Sequence, residues 1–383
     1  MTSPRRGTPD FLLLFLTLAL VAFGLMMVYS SSSMVSTFKY DNSFIFAKKQ
    51  AVAVGLGAVG MLFFMNVPYS KLKKWTLPLF AIVLLLLVLV LFIGNGDTQY
   101  GARSWIDLGP FNLQPAEFAK LAVILYLANL IRKKGDKMYD LKKGLIPCLV
   151  ITGILAFLIM LQPDLGSCLV LVLGAMVIIT IGGANLKHIF VLGGSALALG
   201  IAYFGLSYLS NPNSSNYRLK RITTLFDPWS DSSDSTYQMV NSLLAFGHGG
   251  FTGTGLSRSI QKINFLSQSH SDFIFAIIGE ELGFLGTSLF LLVYCLFVWR
   301  GIVVSLRNPD PYASLIGVGI MSMIAIQTLI NIGGVTNSIP MTGITLPLIS
   351  YGGSSVLATM ISMGMVLSIS RDQTKPSPNK KRT

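Results

Sequence analysis

Five acidic residues stand at or within strongly apolar stretches of this chain: Glu117, Asp164, Asp272, Glu280 and Glu281. A charge in the hydrocarbon region costs at least ~2.5–3.5 kcal/mol, so such residues face a partner, a protein interior or a water-filled cavity. Asp272 is the strongest candidate for chemistry. It opens an apolar run in Ser269-His270-Ser271-Asp272-Phe273-Ile274-Phe275, and a half-desolvated carboxylate has a raised pKa and can serve as a general base. The competing role is a helix N-cap, which Asp fills well; position alone divides the two evenly. Glu280 and Glu281 lie about 80° and 180° round the same helix from Asp272 at 3.6 residues per turn. They cannot both share its cavity, so at least one serves packing between helices.

Glu117 and Lys120 sit three residues apart in Gln114-Pro115-Ala116-Glu117-Phe118-Ala119-Lys120, on one helix face and able to pair. They read either as a structural ion pair or as a charged cavity wall, with Lys120 and Arg103 available to an anion; the two are compatible. Asp164, in Gln162-Pro163-Asp164-Leu165-Gly166, reads first as the cap of the helix that follows. Arg218 and Arg221, in Tyr217-Arg218-Leu219-Lys220-Arg221, and Lys262, in Arg258-Ser259-Ile260-Gln261-Lys262, suit a phosphate or pyrophosphate. Solvated basic groups, or groups drawn to anionic lipid, are the commoner case. Gly247, Gly249, Gly250, Gly253 and Gly255 suggest a tight, mobile turn over the cavity, and without any Gly-Lys dipeptide there is no phosphate-binding P-loop. His188, His248 and His270 are scattered, and Cys148, Cys168 and Cys295 fall in apolar stretches without metal spacing. No Gly-x-Ser-x-Gly elbow occurs. Metal-hydrolase and serine-hydrolase chemistry are therefore poor readings.

The elements that must position these groups are membrane helices. Of 383 residues, 52% are hydrophobic and only 12% charged, with a mean hydropathy of +0.65; soluble domains carry about 25% charged residues. Disordered, collagenous, disulfide-rich and cytosolic classes are excluded. A span needs roughly 20 apolar residues, which predicts ten: 11–31, 50–67, 75–94, 116–132, 144–162, 165–183, 187–208, 272–300, 311–333 and 346–370. The fold expected is an all-α polytopic membrane protein, one transmembrane domain over 1–370 with a large extracellular loop at 208–271, then a disordered basic tail at 371–383. The first span is too long for a signal peptide's apolar region and lacks a small-x-small cleavage site, so it reads as a retained anchor. The net charge of +13 is explained by position. Nineteen of the 29 Lys and Arg residues fall on one side if both termini are cytoplasmic, as the bias of basic loops requires. The last span opens with Pro340-Met341-Thr342-Gly343-Ile344-Thr345-Leu346-Pro347-Leu348-Ile349-Ser350-Tyr351-Gly352-Gly353. A run so broken at membrane depth must line a cavity or be buried in protein, and transporters use such segments as binding sites.

These segments together resemble the SEDS family (shape, elongation, division and sporulation), the group containing FtsW, RodA and SpoVE. The motifs are Met27-Val28-Tyr29-Ser30-Ser31, Arg103-Ser104-Trp105-Ile106, Gln114-Pro115-Ala116-Glu117, Gln162-Pro163-Asp164-Leu165-Gly166, Asp272-Phe273-Ile274-Phe275-Ala276 with Glu280-Glu281-Leu282-Gly283, and the broken run above. The opening and Asn42-Ser43-Phe44-Ile45-Phe46-Ala47-Lys48 are most similar to the FtsW/SpoVE branch. The resemblance implies a peptidoglycan glycosyltransferase that polymerises lipid II, an undecaprenyl-pyrophosphate-linked disaccharide peptide, on the outer face of the bacterial cytoplasmic membrane during division or sporulation. Asp272 matches the family's essential aspartate, and Arg103, Glu117 and Lys120 match its charged positions around a central cavity. The expected substrate-binding set is Arg103, Glu117, Lys120, Asp164, Arg218, Arg221, Lys262 and Tyr351.

The resemblance further implies a class B penicillin-binding protein, a transpeptidase, as partner, with spans eight and nine as the expected contact. Other cell-division or sporulation membrane proteins are expected as well, and no nucleic acid. A divalent cation, Mg or Mn, is left open. Relatives commonly read Leu-Pro-Glu-Ala-His-Thr-Asp before the aspartate, whereas this chain has Leu266-Ser267-Gln268-Ser269-His270-Ser271-Asp272, which removes one carboxylate. The rival readings are a flippase or transporter of lipid-linked precursors and a scaffold that only recruits the transpeptidase. The long outer loop leading to Asp272, and the lack of evident inverted repeats, favour the enzyme over the transporter.

Overall fold

The computed structural model describes residues 6–95, 103–107, 109, 112–195, 198, 225, 228–229, 234–262, 266 and 268–372. Ten α-helices are named in it: α1 (Phe11–Tyr40), α2 (Ile45–Asn66), α3 (Tyr69–Ile93), α4 (Pro115–Lys134), α5 (Ile146–Met160), α6 (Leu165–Ile181), α7 (Asp234–Gly249), α8 (Ile274–Leu306), α9 (Pro311–Val335) and α10 (Gly353–Ser370). A short antiparallel hairpin, β1 (Ile106–Asp107) with β2 (Asn112–Leu113), leads into α4. Among the described residues seven helices are long and apolar enough to cross a bilayer, while Leu165–Ile181 is a shorter apolar helix. The fourth predicted span is α4, whose twenty residues include Glu117, Lys120, Arg132, Lys133 and Lys134. Of the seventh, residues 186–195 and 198 are helical and the remainder lies outside the described residues. Nine of the ten expected spans thus coincide with named helices.

Local chemistry accounts for many of the boundaries. Asp10 caps α1 through the Leu13 N–H, Asp164 caps α6 through the Ser167 N–H, and Asp310 caps α9 through the Tyr312 N–H, each satisfying one of the orphan donors of a first turn. Pro115 and Pro311 occupy first turns, where a missing N–H costs nothing. Small residues let helices approach closely: a Cβ on Gly364 of α10 would fall 2.4 Å from the Met61 carbonyl oxygen of α2.

Both ends of the described chain lie on one face. The Gly7 N–H donates to the Arg371 carbonyl at 3.0 Å, and Arg6 pairs with Asp372 at 3.2 Å. Asp10 also takes Arg300 at 2.6 Å, tying α1 to α8.

The structure departs from the sequence reading in two places. The stretch predicted as a loop before Asp272 contains α7, whose buried face of Thr236, Met239, Ser242, Ala245 and Gly249 follows helical spacing and packs on α8 and α9. Its Ser242 hydroxyl donates to the Val335 carbonyl at 2.8 Å, and Phe246 lies against Phe275 with ring centroids 5.7 Å apart. The last span starts later than predicted. Residues 340–352 are non-helical and α10 begins only at Gly353, because Pro340 and Pro347 deny that run its helical N–H donors.

Candidate active site

From Ile344 on, the non-helical run 340–352 is largely buried in protein, as its composition requires: Leu346, Leu348, Ile349 and Ser350 are all at most 1% exposed. It packs against α1 at Gly24, where a Cβ would meet the Leu348 carbonyl oxygen at 2.4 Å. Gln50 of α2 secures its end with one amide, donating to the Ser350 carbonyl at 3.0 Å and accepting from the Gly352 N–H at 3.2 Å. Its backbone needs are thus met inside the bundle.

Asp272 lies in the turn 268–273 that precedes α8 and is half-buried. It is not the helix cap: Phe273 holds that position, without a side-chain bond. The buried run grips this turn. The Ser350 hydroxyl donates to the Ser271 carbonyl at 2.7 Å, and the Tyr351 N–H donates to the His270 carbonyl at 2.9 Å. The Phe46, His270 and Tyr351 rings pack together, with centroids 4.5–5.3 Å apart. Gly343, at φ +73°, presents its Cα so that a Cβ there would stand 3.4 Å from Asp272 Oδ2.

A polar ladder runs from this turn into the bundle. Asn331 of α9 donates through Nδ2 to the Asp272 carbonyl at 2.9 Å and to the Ile344 carbonyl at 2.6 Å. One turn earlier, Gln327 donates to the Thr345 carbonyl at 3.0 Å and accepts from Lys120 Nζ at 2.6 Å. Lys120 also pairs with Glu117 at 2.8 Å, the two being 4% and 6% exposed. Glu117, Lys120, Gln327, Thr359 and Ser362 line a cavity of about 30 Å³, room for about two waters. The ion pair and the cavity wall expected of Glu117 and Lys120 are therefore one feature. A third tie reaches the outer hairpin: Ser354 at the start of α10 donates to the Asn112 carbonyl at 2.7 Å, and Gln114 donates to Asp164 at 3.2 Å.

Other expected residues are placed differently. Lys262 is not open to a ligand. It is 1% exposed and pairs at 2.9 Å with fully buried Glu281, which also accepts from the Ser30 hydroxyl at 2.7 Å. Glu280, also buried, accepts from the Ile260 N–H at 2.9 Å and from the Ser259 hydroxyl. Both glutamates serve packing. They fasten the segment 250–262 to α8, where the helix breaks at Gly283 with φ +65° and ψ −171°. There the Thr254 and Gly255 N–H groups donate to the Glu280 and Glu281 carbonyls, and the Phe284 and Leu285 N–H groups donate to the Gly250 and Phe251 carbonyls. The glycine-rich turn is thus laced to α8 and is not a mobile cover over a cavity. A Cβ on Gly253 would come within 2.3 Å of the Glu281 oxygen. Asp164 is the cap foreseen, and Arg103 is exposed just ahead of the hairpin. Arg218 and Arg221 lie outside the described residues.

The residues missed by sequence reasoning are the amides Gln50, Gln327 and Asn331. The available signal was an amide in an otherwise apolar helix, twice on α9 at a spacing of four. For a divalent cation, Asp272 is the one carboxylate at the turn, and Gln268 stands where relatives carry an acid. Among the described residues no group of three His, Cys, Asp or Glu is placed to hold a metal, so no step is derived through one.

Comparison with known proteins places this architecture. Residues 11–375 match the family described as cell cycle protein, FtsW/RodA/SpoVE. The chain is 45% identical to stage V sporulation protein E of Bacillus subtilis (strain 168) over 367 residues, covering 96% of this chain and 98% of that one. It is 37% identical to a probable peptidoglycan glycosyltransferase FtsW of Geobacter metallireducens over 361 residues, 94% of each. Among solved structures, it resembles a chain from a peptidoglycan synthase complex described as coordinating polymerization and crosslinking, with a TM-score of 0.73 and 31% identity over 96% of this chain and 99% of that one. The rod shape determining protein RodA of Thermus thermophilus matches with a TM-score of 0.69 and 30% identity over 96% and 98%. With the family's span matched almost end to end, and an all-α membrane bundle built around a gripped aspartate, the chain belongs to the FtsW/RodA/SpoVE family of cell cycle proteins.

Proposed function

We propose that this protein is a peptidoglycan glycosyltransferase that polymerises lipid II at the outer face of the cytoplasmic membrane, with both termini cytoplasmic and a class B penicillin-binding protein as partner. The observation that carries the reading is the placement of Asp272. It lies one residue before the N-cap position of α8, is half-buried in a turn, and that turn is held by bonds from Asn331, Ser350 and Tyr351 to the carbonyls of Asp272, Ser271 and His270. A structural cap needs none of this, whereas a general base needs a fixed position and partial desolvation. Relatives named for glycosyl transfer share nearly the whole chain.

In the proposed reaction Asp272 takes the proton from the 4-hydroxyl of the acceptor as that oxygen attacks the anomeric carbon of the donor. The glycosidic bond forms with inversion as the bond to pyrophosphate breaks. The undecaprenyl pyrophosphate leaves as an anion neutralised by basic groups, with exposed Arg103, and Arg218 and Arg221 of the segment outside the described residues, as the candidates. The buried pair of Lys120 and Glu117 keeps the cavity wall in shape, and Lys262 takes no part in binding.

The test uses purified protein with lipid II and a divalent salt, alone and with a class B transpeptidase, reading glycan chain length on a gel. Polymer is expected from the wild type and none from Asp272→Ala, with equal yield and thermal stability. Near-normal polymer from the variant overturns Asp272 as the base. Absence of wild-type polymer, with lipid II crossing the bilayer, replaces the enzyme with a flippase.

A further inference from the structure

Asn331 is 4% exposed in the middle of the apolar helix α9. Both of its nitrogen's partners, the carbonyls of Asp272 and Ile344, can only accept, so the amide orientation is dictated by them. Its Oδ1 is then left buried without a hydrogen-bond partner among the described residues. A buried acceptor without a bond is a net cost to the fold, so an amide chosen for stability alone would sit poorly here. What Asn331 does instead is geometric. A single NH2 group spans the two segments that meet at Asp272: the turn 268–273 and the non-helical run at Gly343 and Ile344. Gly343, one residue before the second acceptor, is the residue whose Cα faces Asp272 Oδ2. The Asp272 backbone is thereby locked to the wall its carboxylate faces. Four residues earlier, Gln327 fixes the next carbonyl of the same run, so the run cannot slide along α9 without breaking both amide contacts.

We propose that Asn331 is a positioning residue for glycosyl transfer, holding the Asp272 turn and the Gly343–Ile344 wall in one register. This rests on the reading of Asp272 as the base. Its effect belongs to kcat: a misplacement of about 1 Å in a reacting group costs on the order of 10²-fold, while lipid II binding does not depend on Asn331.

The experiment compares wild type, Asn331→Ala, Asn331→Leu, Asp272→Ala and the Asn331→Ala/Asp272→Ala double variant as full chains with the transpeptidase, measuring polymerisation kinetics on lipid II together with thermal unfolding. The expected result is a fall in kcat of about 30- to 100-fold for Asn331→Ala, with KM within about threefold. The double variant should be no worse than Asp272→Ala, because groups that act as a unit do not add. Asn331→Leu fills the same space without donors and should match Asn331→Ala. Wild-type kcat in a folded variant overturns the proposal, and so does a loss carried by KM. If neither Asn331 variant folds, its role is structural and the proposal falls. If the wild type itself makes no polymer, the glycosyltransferase reading has failed; polymer formed at the wild-type rate by both Asn331 variants sinks the positioning role alone.

Discussion

Lys262 offers a clean separation between a residue that binds substrate and one that holds the fold. Its ammonium is 1% exposed and its partner Glu281 is fully buried, 2.9 Å away. Replacing Lys262 with Met keeps the stem's apolar packing but leaves the Glu281 carboxylate buried, with the Ser30 hydroxyl as its remaining side-chain donor among the described residues. Breaking one side of a buried pair in this way costs about 3–5 kcal/mol. That is roughly two to three and a half orders of magnitude in the equilibrium between fastened and loosened states. The same rule holds that removing both charges is often close to neutral, so Lys262→Met/Glu281→Gln should recover most of the loss. The assay is thermal unfolding in detergent beside lipid II polymerisation for the wild type, each single variant and the double. The expected pattern is an unfolding temperature and a polymer yield that fall together in Lys262→Met and return together in the double variant. If Lys262→Met unfolds at the wild-type temperature but shows a raised KM for lipid II, Lys262 is a ligand for the substrate and the packing argument is wrong.

Two further outcomes follow from the same geometry. Gly253→Ala places a Cβ 2.3 Å from the Glu281 carbonyl at φ +82°. The left-handed backbone alone costs a non-glycine residue roughly 1–2 kcal/mol, so a loss of at least about that size is expected by thermal unfolding. Gly247→Ala, with open space around it and a helical backbone, should be neutral or slightly stabilising; equal losses at the two positions would refute the lacing of this segment to α8. On the other face of the membrane, burial pushes the Asp10 carboxyl up, but Arg300 and the Leu13 N–H outweigh it and hold the pKa below its ordinary value of 3.8. A lowered folded-state pKa means that the stabilisation is present above 3.8 and is lost as pH falls through the folded value. Unfolding temperatures between about pH 5 and pH 3 should therefore decline less steeply for Arg300→Met than for the wild type, and parallel curves would refute the assignment.

How much of this was legible in advance follows from the range of the interactions. Span positions were readable because hydropathy over about 20 residues is a local property with one physical meaning in a bilayer. The cap at Asp164, and the pairing of Glu117 with Lys120, are likewise set within three or four residues. The break before α10 was legible as a break, since proline and glycine cannot continue a helix without help. Where the broken run would lie was not. That depended on Gln50, 300 residues from Ser350 in sequence, and on Ser271, 79 residues from it.

The misjudged residues share this cause. Lys262 looked like a ligand because an isolated lysine in a polar segment carries no mark of its partner. Glu281 stands 19 residues away, and the two meet because α8 breaks at Gly283 and takes the segment 250–255 into its ladder. The glycine cluster looked mobile for the same reason, since its close approaches are to a helix that follows it. Asn331 gave only the bare signal of an amide in an apolar helix, and its two acceptors come from segments on either side of it in the chain. By itself, the sequence determined the membrane class, most of the helices, the cap at Asp164 and the family. The tertiary structure alone decided which buried charges hold the protein together and which segments grip the turn that carries Asp272, because in a low-dielectric interior a charge's role is set by the partner it meets, and that partner is chosen by packing across the whole chain.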